Sequence, residues 1–377
     1  MSELNSQIPA HATGVVVVDL DRIAANWRAL AALVRPAECA AVVKADAYGL
    51  GATQVIPALV RAGCRTLFVA TLDEAVAARK LAPAATIYML DGIIKGAAGA
   101  VREAGVIPVV STLSEIAEWA ELSTSRKDRL PTALHVDTGL NRLGLAAKDI
   151  QSLVMNGHGL DRLDVQLVMS HLACADDPGS PKNEQQREVF ERLAPLLPTT
   201  ARSIAASDGL MLGRDYHYDL VRPGYALYGG QAFQGGATPV EPVVEVHARI
   251  LQVRDVAPGQ TVGYSATWTP DEPRRVAIIA AGYADGLFRH LSRQSGGDGG
   301  RVAVGGVIAT IIGRVSMDLI TIDVTGIEPE PRPGDLVEVI GPNLPIEAVG
   351  SDARTIGYEV LTSLGRRFHR IYRGAES

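Results

Sequence analysis

Only three cysteines, Cys39, Cys64 and Cys174, occur in 377 residues. None belongs to a CxxC pair, so a disulfide framework and a cysteine-based metal site are excluded, and a reducing compartment fits. No apolar run reaches the ~18 residues that a membrane-spanning helix needs. No stretch is rich in lysine and arginine, and the formal net charge is -6, so a nucleic-acid or membrane-surface role has no electrostatic footprint. The opening "MSELNSQIPAHATG" lacks the basic segment and apolar stretch of a secretory signal, and a cytoplasmic location is expected. Repeats of fixed period are missing too. What remains is a chain with 47% hydrophobic and 21% charged residues, ordinary for a globular protein. It is long enough for two domains, and the expected partner is a small molecule.

Short apolar runs recur along the first two thirds. After an opening "VVVVD" strand and a helix capped by Asp19 or Asp21, with Ile23, Trp27, Leu30 and Val34 at helical spacing, come eight runs. They are "AAVVK" (40–44), "TLFVAT" (66–71), "TIYMLD" (86–91), "IPVVST" (107–112), "ALHVDT" (133–138), "VQLVMSH" (165–171), "ARSIAAS" (201–207) and "DLVRPG" (219–224). Helical segments such as "SEIAEWAEL" lie between them. Parallel strands need crossovers, and eight strands alternating with helices predict a (β/α)8 TIM-type barrel, assigned here to residues 12–238. After that the pattern turns to β-branched runs broken by glycine and proline, and residues 239–377 are expected to form a mostly β domain.

Many of the barrel runs end in a polar group: Lys44, Asp91, Ser111, Asp137, His171, Ser207 and Arg222. In a barrel the carboxyl ends of all strands meet on one face, where the chemistry of such folds is done. A lysine at a strand end is ordinarily a solvated side chain. Placed after a buried run, Lys44 has a second reading, because a desolvated amine loses basicity and becomes a nucleophile able to form a Schiff base.

Seven motifs occur in order: "AVVKADAYGLG", "VDTGLNRLG", "SHLACAD", "RPGYALYG", "GYSATW", "GYADG" and "GRVSMD". Together they resemble those of the bacterial alanine racemases, fold-type III enzymes that use pyridoxal 5'-phosphate, and the resemblance covers residues 13–373. It implies that Lys44 carries the cofactor as an internal aldimine and acts as base on one face of the substrate α-carbon, with Tyr264 as base on the other. It further implies that Arg222 faces the pyridine nitrogen, that His171 links by hydrogen bonds to Tyr264 and contacts Arg222, and that Arg142 lies near the cofactor's phenolic oxygen and the substrate carboxylate. Tyr48, Ser207, Gly224, Tyr225 and Tyr358 would hold the phosphate, and the backbone N–H of Met317 would meet the carboxylate, with Asp318 beside it. Asp176, Tyr283, Arg289, Arg314 and Ile356 match an access corridor. The family's head-to-tail homodimer, in which Tyr264, Tyr283 and Met317 reach the neighbouring subunit's cofactor, is implied as well.

Three positions depart from the family's pattern. His135 stands where a carbamylated lysine often orients the arginine that here is Arg142. Ala206 and Ser207 replace Asn-Ser, with Asp208 following, and Tyr225 stands where a smaller aliphatic residue is common. The resemblance predicts an enzyme that interconverts L- and D-alanine and so supplies D-alanine for peptidoglycan. A racemase acting on serine or a wider set of amino acids, and a non-catalytic cofactor carrier, stay open at this point. A decarboxylase of the same fold type would need a cysteine in the β domain, and all three lie earlier.

Overall fold

The first strand, β1 (Gly14–Asp19), does not open the barrel. In the computed structural model, which describes residues 7–123, 128–198 and 201–374, it lies between β11 (Val244–Val256) and β17 (His369–Arg373), antiparallel to the first and parallel to the second. The two compact units are Ile23–Val240, and Met1–Arg22 together with Glu241–Ser377. The expected barrel start at residue 12 therefore moves to Ile23. A run of four buried valines suits either sheet, because a strand covered on both faces reads as continuously apolar wherever it pairs.

The barrel unit is an eight-position ring of parallel strands. Its first position is split into β2 (Glu38–Cys39) and β3 (Ala41–Val42). There follow β4 (Thr66–Val69), β5 (Thr86–Met89), β6 (Ile107–Val110), β7 (Leu130–His135), β8 (Leu163–Met169), β9 (Arg202–Ser203) and β10 (Leu220–Val221). Pairing of β10 with β2, and bonds from Ala40 N–H to Val221 O (3.0 Å) and Val42 N–H to Pro223 O (2.9 Å), close one side of the seam. Bonds from Arg222 N–H to Ala205 O (3.0 Å) and Asp219 N–H to Arg202 O (3.1 Å) close the other. The eight apolar runs thus locate the eight strands, and most of the polar residues that end the runs stand just beyond the ladders, in the loops. Val42, Leu67, Phe68, Ile87, Val109, Leu134 and Leu167 are buried; full burial of such a side chain stabilises by roughly 1.5–3 kcal/mol.

The second unit is built on one long bent strand. β11 pairs with β1 and β16 (Leu336–Ile340) along its first half and with β12 (Arg274–Ile279) along its second. From β12 the sheet runs through β15 (Ile320–Asp323), β14 (Val307–Ile312) and β13 (Arg301–Val304) back to β16, which makes a closed ring of six. Closure removes the exposed edges that a flat sheet would offer for aggregation. Val256, Val262, Trp268, Val276 and Ile312 form one of its packed clusters. Among the described residues no helix is long and apolar enough to cross a membrane.

Candidate active site

Lys44 leaves β3 into an unusual turn. Ala45, Asp46, Ala47 and Tyr48 all have left-handed φ, between 52° and 56°. Each such non-glycine residue costs roughly 1–2 kcal/mol, so surrounding groups must hold the turn in place. Ala47 N–H reaches back to Val43 O (3.0 Å) and Gly49 N–H to Ala45 O (2.7 Å), while Asp46 Oδ1 accepts from Ala52 N–H at 2.7 Å. Glu74 braces the turn from outside: Oε1 accepts from Ala45 N–H (2.7 Å) and Oε2 from Ala70 N–H (2.8 Å). Its Thr71-x-x-Glu74 capping box is legible in the sequence, whereas its grip on the Lys44 turn is a long-range contact that no local pattern announces.

Around Lys44 the barrel gathers cations and imidazoles. Burial lowers the basicity of the Lys44 amine first, Arg142 lowers it further, and Asp91 and Glu74 work in the opposite direction. Arg222, 3% exposed, donates through Nη2 to Ser170 O (2.7 Å) and through Nη1 to the Ser203 hydroxyl. No carboxylate among the described residues pairs with it: Asp219 instead accepts from Arg202 N–H at 2.8 Å. Burial pulls the Arg222 pKa down to about 9, so it stays cationic at neutral pH, and its Nε donates to nothing among the described residues. His171 is pushed down to about 3 by burial and then by Arg222, Arg142, His135 and Lys44. His135, at the end of β7, is pushed down to about 4 by burial, then Arg222 and Arg142. Both imidazoles are neutral at pH 7. The expected contact of His171 with Arg222 is electrostatic only, since no hydrogen bond joins them.

Arg142 is displayed by the loop 137–145. Asp137 Oδ1 accepts from the N–H groups of Gly139 (2.9 Å), Leu140 (3.1 Å) and Asn141 (3.1 Å), and a bridge between Val136 and Leu145 shuts the loop. Gly144 has a φ of +121°, and a Cβ there would stand 2.5 Å from Asp137 N, so only glycine fits. The exposed guanidinium of Arg142 makes no hydrogen bond with a described residue, including His135.

Tyr48, Ser207 and Gly224 come together at the barrel seam. Ser207 Oγ accepts from Gly224 N–H (3.0 Å) and Ala226 N–H (3.1 Å). A Cβ on Gly224 would lie 2.3 Å from the Tyr48 hydroxyl, whose ring packs against Tyr228 at 4.9 Å. Burial raises the Tyr48 pKa, which keeps it a neutral hydrogen-bonding phenol. Tyr225 buries its ring beside Gly230, where a Cβ would meet it at 2.2 Å, and leaves its backbone at this edge. The arrangement offers an amine of lowered basicity, two guanidinium cations, two neutral imidazoles and a hydroxyl and N–H cluster. It suits a small anionic ligand with a group that an amine can attack. A cavity of about 830 Å³ lies elsewhere, at the amino ends of β2, β4 and β5 beside Trp27, and touches none of these residues.

The second unit carries the other predicted residues. Tyr264 sits on a hairpin tip closed by Val262 and Trp268, 71% exposed, with Arg314 Nη1 donating to the adjacent Ser265 Oγ at 2.8 Å. Tyr283 and Met317 are brought together by backbone bonds of their two loops, Tyr283 N–H to Ser316 O (3.1 Å) and Ala284 N–H to Met317 O (3.0 Å). The Met317 N–H itself donates to nothing among the described residues. Arg289 and Arg314 line one cavity of about 330 Å³ with Arg354, Ile356 is exposed, and Tyr358 stands in the first turn of the helix Gly357–Ser363. Asp176, by contrast, belongs to the barrel unit, where its backbone carbonyl accepts from Gln234 N–H at 2.8 Å.

A lysine-centred parallel barrel with an appended closed β unit defines a two-domain class of chain, and comparison with known proteins narrows it. Residues 18–232 match the family described as "Alanine racemase, N-terminal domain" and residues 243–372 "Alanine racemase, C-terminal domain". An alanine racemase of Methylobacterium sp. (strain 4-46) is 47% identical over 95% of this chain and 97% of its own. One from Brucella ovis is 44% identical over 96% and 94%. The crystal structure of alanine racemase from Bartonella henselae with covalently bound pyridoxal phosphate superposes with a TM-score of 0.91 at 41% identity, covering 96% of this chain and 99% of that one. The chain belongs to the alanine racemase family.

Proposed function

We propose that this chain interconverts L- and D-alanine with pyridoxal 5'-phosphate held at Lys44, as a cytoplasmic homodimer that supplies D-alanine for peptidoglycan. The observation that carries the reading is Lys44 itself: an amine of lowered basicity at a barrel strand end, near Arg142 and His171, in a chain of this family. When bound, the cofactor supplies an electron-withdrawing ring that acidifies the substrate Cα–H.

The residues fit that group. Arg222, which keeps its own proton at neutral pH, would face the ring nitrogen with its Nε–H and so would leave that nitrogen unprotonated. The ring would then supply a weaker electron sink, which would favour return of the proton over transamination. Ser207 Oγ and the N–H groups of Gly224 and Tyr225 would receive the phosphate, with the hydroxyls of Tyr48 and Tyr358.

Inverting a stereocentre requires removal of a proton on one face and delivery on the other. Lys44 takes or returns the α-proton on one side and Tyr264, from the neighbouring copy, does so on the opposite side. His171, neutral because burial and nearby cations hold its pKa at about 3, would donate its ring N–H to the Tyr264 oxygen and so steady the phenolate form that takes the proton. Arg142 and the free N–H of Met317 hold the substrate carboxylate, with Asp318 beside them. Asp176, Tyr283, Arg289, Arg314 and Ile356 line the path in. Support for a second copy comes from Tyr264, Met317 and Ile356, large side chains left 71%, 52% and 61% exposed, the kind of surface that assembly covers.

The test is incubation of the cofactor-loaded protein with L-alanine in D2O, followed by chiral separation and mass analysis. D-alanine carrying deuterium at the α-carbon is the expected product. No D-alanine from protein with the cofactor bound would overturn the reading, and the same assay with serine would then define the substrate.

A further inference from the structure

The loop that carries Met317 is secured from a distance. A Cβ on Gly282 would lie 2.3 Å from Met317 O, so the two loops touch backbone to backbone. Gly282 N–H is in turn held by Asp285 Oδ2 at 2.9 Å. Asp285, 2% exposed, also receives Arg367 Nε and Nη2, each at 2.7 Å, in a two-point pair. The third arm of the same guanidinium, Nη1, donates to Asp318 at 2.6 Å. Gly365 N–H completes the junction by donating to Asp285 O at 2.9 Å.

We propose that Arg367 is a positioning residue for the substrate carboxylate: it ties the buried anchor Asp285 to Asp318 and so fixes the loop that presents the Met317 N–H. The proposal rests on the reading above, in which that N–H meets the carboxylate. The Asp318 arm has little to do with stability, because half-exposed ion pairs contribute little to folding; Arg367 and Asp318 are 48% and 56% exposed. Its effect is geometric, since a planar fork with donors in fixed directions can hold two carboxylates at a set separation, which a lysine ammonium cannot. Misplacing a binding group by about 1 Å is enough to lose up to ~100-fold.

The experiment compares wild type, Arg367→Met, Arg367→Lys and Asp318→Asn as cofactor-loaded enzymes. It reads KM and kcat for both alanine enantiomers, inhibition by propanoate (the substrate without its amino group), and cofactor absorbance. For Arg367→Met, KM and the propanoate inhibition constant are expected to rise together by about 10-fold or more, with kcat within about 3-fold and cofactor content unchanged. Asp318→Asn, which weakens the exposed arm and leaves the Asp285 pair intact, should raise both by about 3-fold or more, and Arg367→Lys should fall between wild type and Arg367→Met. Unchanged KM and propanoate inhibition, or a loss confined to kcat or to cofactor retention, would overturn the proposal. Should Arg367→Met not fold, Arg367→Lys and Asp318→Asn decide by the same readings. A wild-type enzyme that makes no D-alanine overturns the parent reading and this one together; active wild type with unresponsive variants overturns this one alone.

Discussion

The two units carry their site residues in opposite ways. In the barrel, Arg222 and His135 are buried and Lys44 is half-buried, and the surroundings have shifted all three. In the β unit, Tyr264, Tyr283, Met317 and Ile356 stand in water. The difference teaches where chemistry is tuned and where it is delivered. Withdrawal from water changes what a group is, turning a lysine into a weaker base and a histidine into a ring that is neutral at pH 7. Exposure on a hairpin tip leaves the Tyr264 hydroxyl open to solvent and to an incoming ligand.

The harshest way to break this comparison is to remove the tuned group. Lys44→Ala should abolish the visible absorbance of lysine-bound cofactor and lower racemisation by about 10³-fold or more; an unchanged spectrum would mean that another lysine carries the cofactor. Removing the delivered group should do less to the cofactor and more to one direction of catalysis. Tyr264→Phe is expected to keep the absorbance and to slow α-proton exchange from L-alanine by about 10²-fold or more, and from D-alanine by less. Equal losses would assign Tyr264 a structural part.

Smaller effects should sharpen the comparison on the barrel side. Glu74→Ala leaves Ala45 N–H and Ala70 N–H without their acceptor, and a loss of about 2–3 kcal/mol in urea unfolding is expected, together with weaker cofactor retention. An unaltered midpoint would show that the left-handed turn holds itself. For His135 the folded pKa of about 4 lies below the ordinary 6.5. As pH falls, the unfolded chain takes the proton first, so the stability contributed by the neutral ring is complete above pH 6.5 and drains away toward pH 4. Unfolding free energy of the cofactor-free protein should therefore drop between pH 7 and 5 by about 1–2 kcal/mol more in wild type than in His135→Gln. Parallel curves would mean that His135 is not held neutral by the fold.

Much of this was readable beforehand, for identifiable reasons. The runs at 66–71, 86–91 and 107–112 contain β4, β5 and β6 because a buried parallel strand needs an unbroken apolar stretch, and the next helix needs a polar residue at its start. Lys44, His171, Ser207 and Arg222 were visible as the polar ends of such runs. The assignment of β1 failed because sheet membership depends on a partner more than two hundred residues away. The left-handed turn at 45–48 ran against residue propensity, since alanine and tyrosine seldom take that conformation alone. Arg367 and Asp285 gave no local signal: an arginine beside another arginine reads as surface charge until the fold sets it against a buried carboxylate.

By itself, the order of apolar runs determined that there would be a barrel followed by β structure, because periodicity and burial are local properties of a chain. The motifs determined which residue types would stand at the strand ends. Tertiary structure alone decided the rest: that β1 joins the other sheet, that Glu74 holds the backbone beside Lys44, that Arg222 has carbonyl and hydroxyl partners, and that Arg367 joins two loops. These are contacts between residues distant in sequence, and a pKa or a loop position set by such contacts exists only once the chain has closed on itself.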